Sequence, residues 1–399
     1  MNATIVVTGI GIVSPLGSDC VSATQALRDQ TGGLAQNSEY DSGQMHGAVK
    51  NFAVAEYINP REARKMDPIS CYTIAAGAQA LQQAGLTEAQ RLDCGLLVGT
   101  GFSGLKSVVE HQKKFLRDGI AVLSPFHFPN TVYNASAGLA AIKLGVAGPN
   151  STVTGVDVSG EQALLYGAMM LRQGMAEQVL VVGVDELSSA LIRGFNDMRL
   201  LDQRTGAPAC PFSRSRAGFN LSEGAAALLL ETESSAQARG ARPLALIEGF
   251  GLCSAASDSY AFDLSGQSAR AAIEQALLRA KQTLADIDWI SSSANGGKGQ
   301  DAADIGLWPS VLTQAPAKVT ALKTYTGEFA GSGVLRLALG ITAMRDDFIP
   351  VMPEGKDYDE AIAPYLNFSA AAPRSRRFLQ HAAGVGGSQI AMVVNCQPA

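Results

Sequence analysis

The sequence is poor in the residues on which nucleic-acid-binding, metal-binding and secreted proteins depend. It has four histidines (His46, His111, His127 and His381), too scattered to suggest a metal site. Its six cysteines (Cys20, Cys71, Cys94, Cys210, Cys253 and Cys396) lie far apart with no C-x-x-C pair, which fits reduced, buried thiols better than disulfides or zinc. No block of lysine and arginine is long enough to grip phosphates, and 31 basic against 36 acidic residues leave a net charge of -5, so nucleic acid is not an expected partner. No apolar run approaches the ~20 residues needed to span a bilayer. The start, MNATIVVTGIGIVSPLG, lacks a basic n-region and runs straight into a strand-and-turn pattern rather than a signal peptide, so the expected location is the cytoplasm.

Small and apolar residues are plentiful instead. With 42 glycines, 47% hydrophobic and 17% charged residues, the chain reads as a tightly packed α/β protein, and 399 residues exceed what one hydrophobic core usually supports. Apolar runs alternate with helical patterns: a strand at Thr4–Gly9, helices at Ser22–Arg28 and Ser70–Gln83, a strand at Gly95–Gly99 and a helix at Leu105–Leu116. That alternation predicts a covered parallel or mixed sheet.

The chain also resembles itself. AAGAQALQQA at 75–84 matches AAIEQALLRA at 271–280, each followed by a leucine, a short strand and a glycine-rich loop. Val153-Thr154 leading to Ser159-Gly160-Glu161 matches Val319-Thr320 leading to Thr326-Gly327-Glu328, and each precedes a helix and then a β run, QVLVVGV or DFIPVM. Two matches in the same order predict a duplicated α/β unit with its seam near Gly240–Pro243, giving halves 1–243 and 244–399.

Two glycine patterns invite a dinucleotide reading. Gly9-Ile10-Gly11 runs into Ser14-Pro15 and reads as a turn. Gly99-Thr100-Gly101-Phe102-Ser103-Gly104 fits G-x-G-x-x-G, but no second strand ending in an acid follows to hold a ribose, which argues against a nicotinamide cofactor; no cofactor is expected. In GPNSTVTGVDVSGEQALLYGAMMLRQG, Ser159 with Gln162 matches a capping box, placing a helix start whose partial positive charge faces Asp157. Asp157 is then either a carboxylate satisfied by helix-end amides or a chemical group. Glu328 likewise reads as an acid at a helix start. The loops Asn295–Asp301 and Gly384–Ser388 either approach a ligand by backbone or are plain turns.

Taken in order, these landmarks resemble the β-ketoacyl-acyl-carrier-protein synthases, condensing enzymes of thiolase fold. VVTGIGIVSPLG resembles that family's opening strand, SPFHFPNTVYNASAG its dimer-interface segment, CPFSRSRAGFNLSEGAAALLLE its R-P-F-D-x-x-R-D-G-F run, TALKTYTGEFAGSG its lysine and second-histidine stretch, and AAGVGGSQ its final glycine turn. The resemblance implies two βαβαβαββ halves in a five-layered αβαβα arrangement. It also sets Asp157 on the catalytic cysteine, Ser293 on the first catalytic histidine and Glu328 on the second, while Lys323 and Asp301 are retained.

A thiolate at a helix N-terminus forms an acyl adduct of useful lifetime, whereas a carboxylate would form a labile anhydride. Without either imidazole, the neutral donors for the oxyanion left by decarboxylation are gone too. No catalytic residue is therefore expected. Relatives lacking the cysteine are chain length factors, which pair with an active ketosynthase and shape the tunnel holding a chain on a carrier protein; those of aromatic polyketide synthesis usually carry glutamine there. The sequence is most similar to the cysteine-less subunit of bacterial aryl polyene synthesis. By the same resemblance His127, Phe128 and Tyr133 sit at the interface with the partner, and Phe102 and Val156 line or plug the chain's own pocket; ordinary packing is the alternative for each. Two rival readings stay open: a hydrolase or decarboxylase using Asp157 and Glu328, which requires separated pKa values in a closed site, and a homodimeric acyl-binding protein.

Overall fold

The computed structural model describes residues 4–40, 43–125, 127–258 and 260–397. The opening strand β1 (Ile5–Val13) is buried along its whole length, because both of its faces are covered. A small ribbon, β2 (Ala35–Gln36) with β3 (Met45–His46), leads away from it. The first half continues through β4 (Gly95–Gly99), β5 (Asn150–Val153), β6 (Gln178–Asp185) and β7 (Gly224–Thr232). The second comprises β8 (Ala245–Ser254), β9 (Trp289–Ser291), β10 (Lys318–Thr320), β11 (Arg377–Ala383) and β12 (Ser388–Cys396).

The strand order runs β10-β9-β11-β12-β8-β1-β7-β6-β4-β5. Each half thus has its own third, second, fourth, fifth and first strands in that spatial order, and helices separate the first four, giving βαβαβαββ twice. The halves join where β1 pairs antiparallel with β8, Ile5 opposite Ile247 and Val7 opposite Ala245.

Alternation along the strands divides the interior into layers. In β7, Ala226, Leu228 and Leu230 face a central core that includes the helices Ser159–Arg172 and Ser332–Arg345, while Ala225, Ala227 and Leu229 face the outer helices Pro68–Ala84 and Ala135–Leu144. On the other side Met392 and Val394 of β12 point to the same central core, and Ala391 and Val393 face the outer helices Gln267–Ala280 and Lys298–Val311. The result is the five-layered thiolase-like arrangement expected. No helix among the described residues is long and apolar enough to cross a membrane.

The alanine-rich repeats are the two first outer helices, and their composition has a steric cause. A Cβ placed on Gly11 would come within 1.9 Å of the Ala76 carbonyl oxygen, and one on Gly251 within 1.7 Å of that of Ala272. Gly9 and Gly249 meet Ala80 and Ala276 in the same way. Gly9-Ile10-Gly11 is therefore not a turn: it lies inside β1, where missing side chains let the helix backbone come close. The expected β run DFIPVM also fails as a strand. Pro350 has no N–H to donate, and its carbonyl accepts from the side chains of Thr320 and Asn367; the partner of β6 in the second half is β11.

The loop Gly99–Gly104 does follow a strand and precede a helix, Leu105–Asp118. Its donors face protein: Thr100 Oγ1 (2.7 Å) and the amides of Gly101 (3.0 Å) and Phe102 (3.1 Å) all donate to Asp185 Oδ1, while the Gly331 amide donates to Oδ2 at 2.9 Å. Burial, opposed by these hydrogen bonds, pushes the Asp185 carboxyl up to about 6. Its neighbour Glu186 is pushed up to about 8, first by burial and then by the charge of Asp67.

Gly251→Ala is expected to destabilise the fold by about 1–3 kcal/mol or more through overpacking against a backbone oxygen, measured by denaturant unfolding; unchanged stability would contradict the contact. Glu186 binds its proton more tightly folded than unfolded, so its contribution is complete below its ordinary 4.5 and disappears as pH rises toward about 8. Glu186→Gln is expected to flatten the fall in melting temperature across that window.

Candidate functional site

The site is assembled at the ends of the two central helices. Ahead of helix Ser159–Arg172, the turn Val156–Val158 starts with Val156 at φ +48°, a conformation a β-branched residue rarely adopts. Ser159 Oγ holds that turn by donating to the Val156 carbonyl (2.8 Å) and accepting from the Gly155 amide (2.9 Å). The expected capping box is thus absent: Ser159 is already helical, and Val158, at the N-cap, has no side chain to donate or accept. Nor do helix-end amides satisfy Asp157. Its Oδ2 accepts instead from the Val385 amide (3.0 Å) in the glycine turn of the other half.

Ser293, two residues past β9, is buried, its hydroxyl accepting from Gln300 Nε2 (2.6 Å) and from the Ala383 amide (3.2 Å). Ala383 and Val385 are two residues apart, so one stretch of backbone holds both Ser293 and Asp157. Glu328 lies a turn ahead of helix Ser332–Arg345 rather than at its start. Its Oε2 accepts from Lys323 Nζ (2.5 Å) and Asn295 Nδ2 (2.7 Å), and its Oε1 from Ser332 Oγ (3.3 Å). Asp301 accepts from the amides of Asn295, Gly296 and Phe212, which fixes the loop carrying Asn295.

The carboxyl of Asp157 is held above the ordinary carboxylate range, chiefly by burial and next by the charge of Glu328; the Val385 amide and Lys323 oppose the shift. This cluster contains carboxylates, a hydroxyl and an ammonium, each already engaged. His381 sits on β11 but is fully buried, its Nε2 on Gln389.

The aromatic residues divide. Phe102 is partly buried edge-on to Phe195, which packs in turn on Phe219. Val156 is 45% exposed, and its carbonyl lies near Gly101 in the loop that carries Phe102. His127, Phe128 and Tyr133 lie on the surface, Phe128 against His111; Phe126 of the same segment lies outside the described residues. Sequence reasoning missed Gln300 and the roles of Asn295 and the Val385 amide, and also a buried ion pair, Glu161 with Arg336, that joins the two central helices. A lone arginine in VLRLALGITAM and a lone acid in GEQALLYGAMM were its signals.

Comparison with known proteins agrees with this architecture. Residues 2–236 match the family described as "Beta-ketoacyl synthase, N-terminal domain" and residues 244–355 match "Beta-ketoacyl synthase, C-terminal domain". The 3-oxoacyl-[acyl-carrier-protein] synthase 2 of Vibrio harveyi is 30% identical over 372 residues, 90% of each chain. Among solved structures, the ishigamide ketosynthase/chain length factor superposes with a TM-score of 0.91 at 24% identity over the full length of both chains. The ketosynthase ApeO in complex with its chain length factor ApeC from Xenorhabdus doucetiae gives 0.84 at 20% identity, covering 99% of this chain and 98% of that one. At those identities the superpositions speak to the fold alone. The matched domains and the 30% identity, spread along the same order of strands and turns, show that the chain belongs to the β-ketoacyl synthase family.

Proposed function

We propose that the chain is a non-catalytic ketosynthase-like subunit, a chain length factor. It pairs with an active ketosynthase and shapes the tunnel for a chain elongated on an acyl carrier protein, in a pathway of aryl polyene type. The observation that carries this reading is the state of Asp157, Ser293 and Glu328: each stands where the family resemblance sets a catalytic group, and each is tied to another part of the protein. A carboxylate with no imidazole beside it can neither hold an acyl group for long nor stabilise a decarboxylation oxyanion.

The surface supports a partner. Strand β5 ends the sheet, paired on one side only with β4, and exposed apolar residues flank it: Tyr133, Tyr166, Met169 and Met175. His127, Phe128 and Tyr133 are assigned to that interface, with Phe102 and Val156 closing this chain's own pocket. Two structurally similar proteins, the ishigamide ketosynthase/chain length factor and ApeO with its chain length factor ApeC, are ketosynthases with chain length factors, which is the same pairing. Residues 1–243 and 244–399 are assigned as the two duplicated halves. The hydrolase reading is less well supported, because Glu328 is engaged by Lys323, Asn295 and Ser332 and is not free as an acid.

Co-expressed with its ketosynthase, the chain is expected to copurify as a heterodimer, and leaving it out is expected to abolish product. Activity of the lone chain that vanishes in Asp157→Asn would overturn the assignment. Asp157→Cys in the lone chain is expected to leave malonyl-dependent condensation undetectable, since Ser293 and Glu328 supply no imidazole; condensation above background in a carrier-protein assay would count against it.

A further inference from the structure

The three engaged side chains do more than lack a function. Two of them are carboxylates, and each rests on an amide donor that other bonds hold in place without it. Asn295 is set by its own loop: its amide donates to Asp301 Oδ1 (3.1 Å) and its Oδ1 accepts from the Gly297 amide (2.8 Å), which leaves Nδ2 aimed at Glu328. The Lys323 side chain is 2% exposed and reaches the same oxygen of Glu328. The backbone of Glu328 is pinned on both sides, its amide donating to the Asn220 carbonyl (2.8 Å) and its carbonyl accepting from the Ser222 amide (2.9 Å). Truncating the side chain therefore leaves the Asn295 amide held by its own loop and the Lys323 ammonium buried without its counter-ion.

The second carboxylate repeats the pattern. The turn Gly384–Gly387 holds its shape through Gly384 to Ser388 (2.9 Å), Gly386 to Ala261 (3.0 Å) and Ala255 to Gly387 (2.9 Å). Gly386 and Gly387 have φ of +80° and +91°, which favours glycine there. None of these bonds involves Asp157, yet the Val385 amide points at its carboxylate.

From this geometry we infer that the chain carries its own ligands: Asp157 and Glu328 occupy two built-in positions for small carboxylates, one at the Val385 amide and one between Lys323 and Asn295. A buried ammonium without a counter-ion is strongly unfavourable, so the emptied position attracts an anion that fits. Glu328→Ala removes the equivalent of acetate, and Asp157→Ala the equivalent of formate. The inference deepens the proposed function, on which it rests for the meaning of the filled positions. The binding test needs only the lone chain.

The test is chemical rescue of the full-length protein. Melting temperatures are measured for the natural chain, Glu328→Ala, Glu328→Gln and Asp157→Ala in rising sodium acetate or formate, with chloride balancing ionic strength. Glu328→Ala is expected to melt lower than the natural chain, and acetate to restore at least half of the loss in a saturable way that chloride does not reproduce. Formate is expected to do the same for Asp157→Ala, more strongly as pH falls, because burial and the Glu328 charge favour the protonated acid at that position. The natural chain and Glu328→Gln, in which the position stays filled, are expected to show no shift beyond the chloride control. A midpoint of Glu328→Ala indifferent to acetate, or an equal shift in the natural chain, overturns the inference. If Glu328→Ala does not fold, Asp157→Ala with formate decides by the same criterion. Copurification of the natural chain with a ketosynthase is scored in parallel: its loss with rescue intact overturns the chain length factor assignment and leaves the self-ligand inference standing.

Discussion

The buried pair of Glu161 and Arg336 is the interaction on which the site depends. Both side chains are 1% exposed, and they join the two central helices, one from each half. Arg336 also donates to the carbonyls of Ser291 and His381, while Gln380 donates to Glu161 and to the Gly333 carbonyl. One network thus links both central helices to β9 and β11, the elements that place Asp157, Glu328, Ser293 and the Ala383–Val385 backbone. Breaking such a pair by removing one partner typically costs about 3–5 kcal/mol, because the other charge is left buried and uncompensated. The site is as rigid as that crossing.

This frame also holds the three side chains of the candidate site. Each carboxylate is balanced locally, Glu328 by Lys323 and Asp157 by an amide together with a raised proton affinity. The tight turn at Val156 faces the glycine turn of the other half, whose Val385 amide meets Asp157.

Much of the fold was legible in the sequence, because the repeated alanine helices and alternating apolar runs are local signals that the layers then satisfy. The misreadings have a common cause in contacts between distant segments. Gly9-Ile10-Gly11 looks like a turn until Ala76 and Ala80 are known to press on it. DFIPVM looks like a strand until Pro350 is seen taking side-chain donors. Ser159 and Gln162 have capping-box spacing, but the turn before them consumes the serine hydroxyl. At the site, motif order put forward Asp157, Ser293 and Glu328 as candidates. Their partners Val385, Gln300 and Asn295 were not readable, since the first two bonds join residues 228 and 7 apart with no periodic signature and the third joins residues 33 apart.

The edge strand β5 carries a consequence of another kind. It is four residues long, Asn150-Ser151-Thr152-Val153, and paired on one side only. Side chains alternate between faces, so a partner strand displaced by a single residue would exchange Asn150 and Thr152 for Ser151 and Val153 along its whole contact. A rail this short tolerates no sliding. Register would therefore decide which of these side chains a strand pairing there meets.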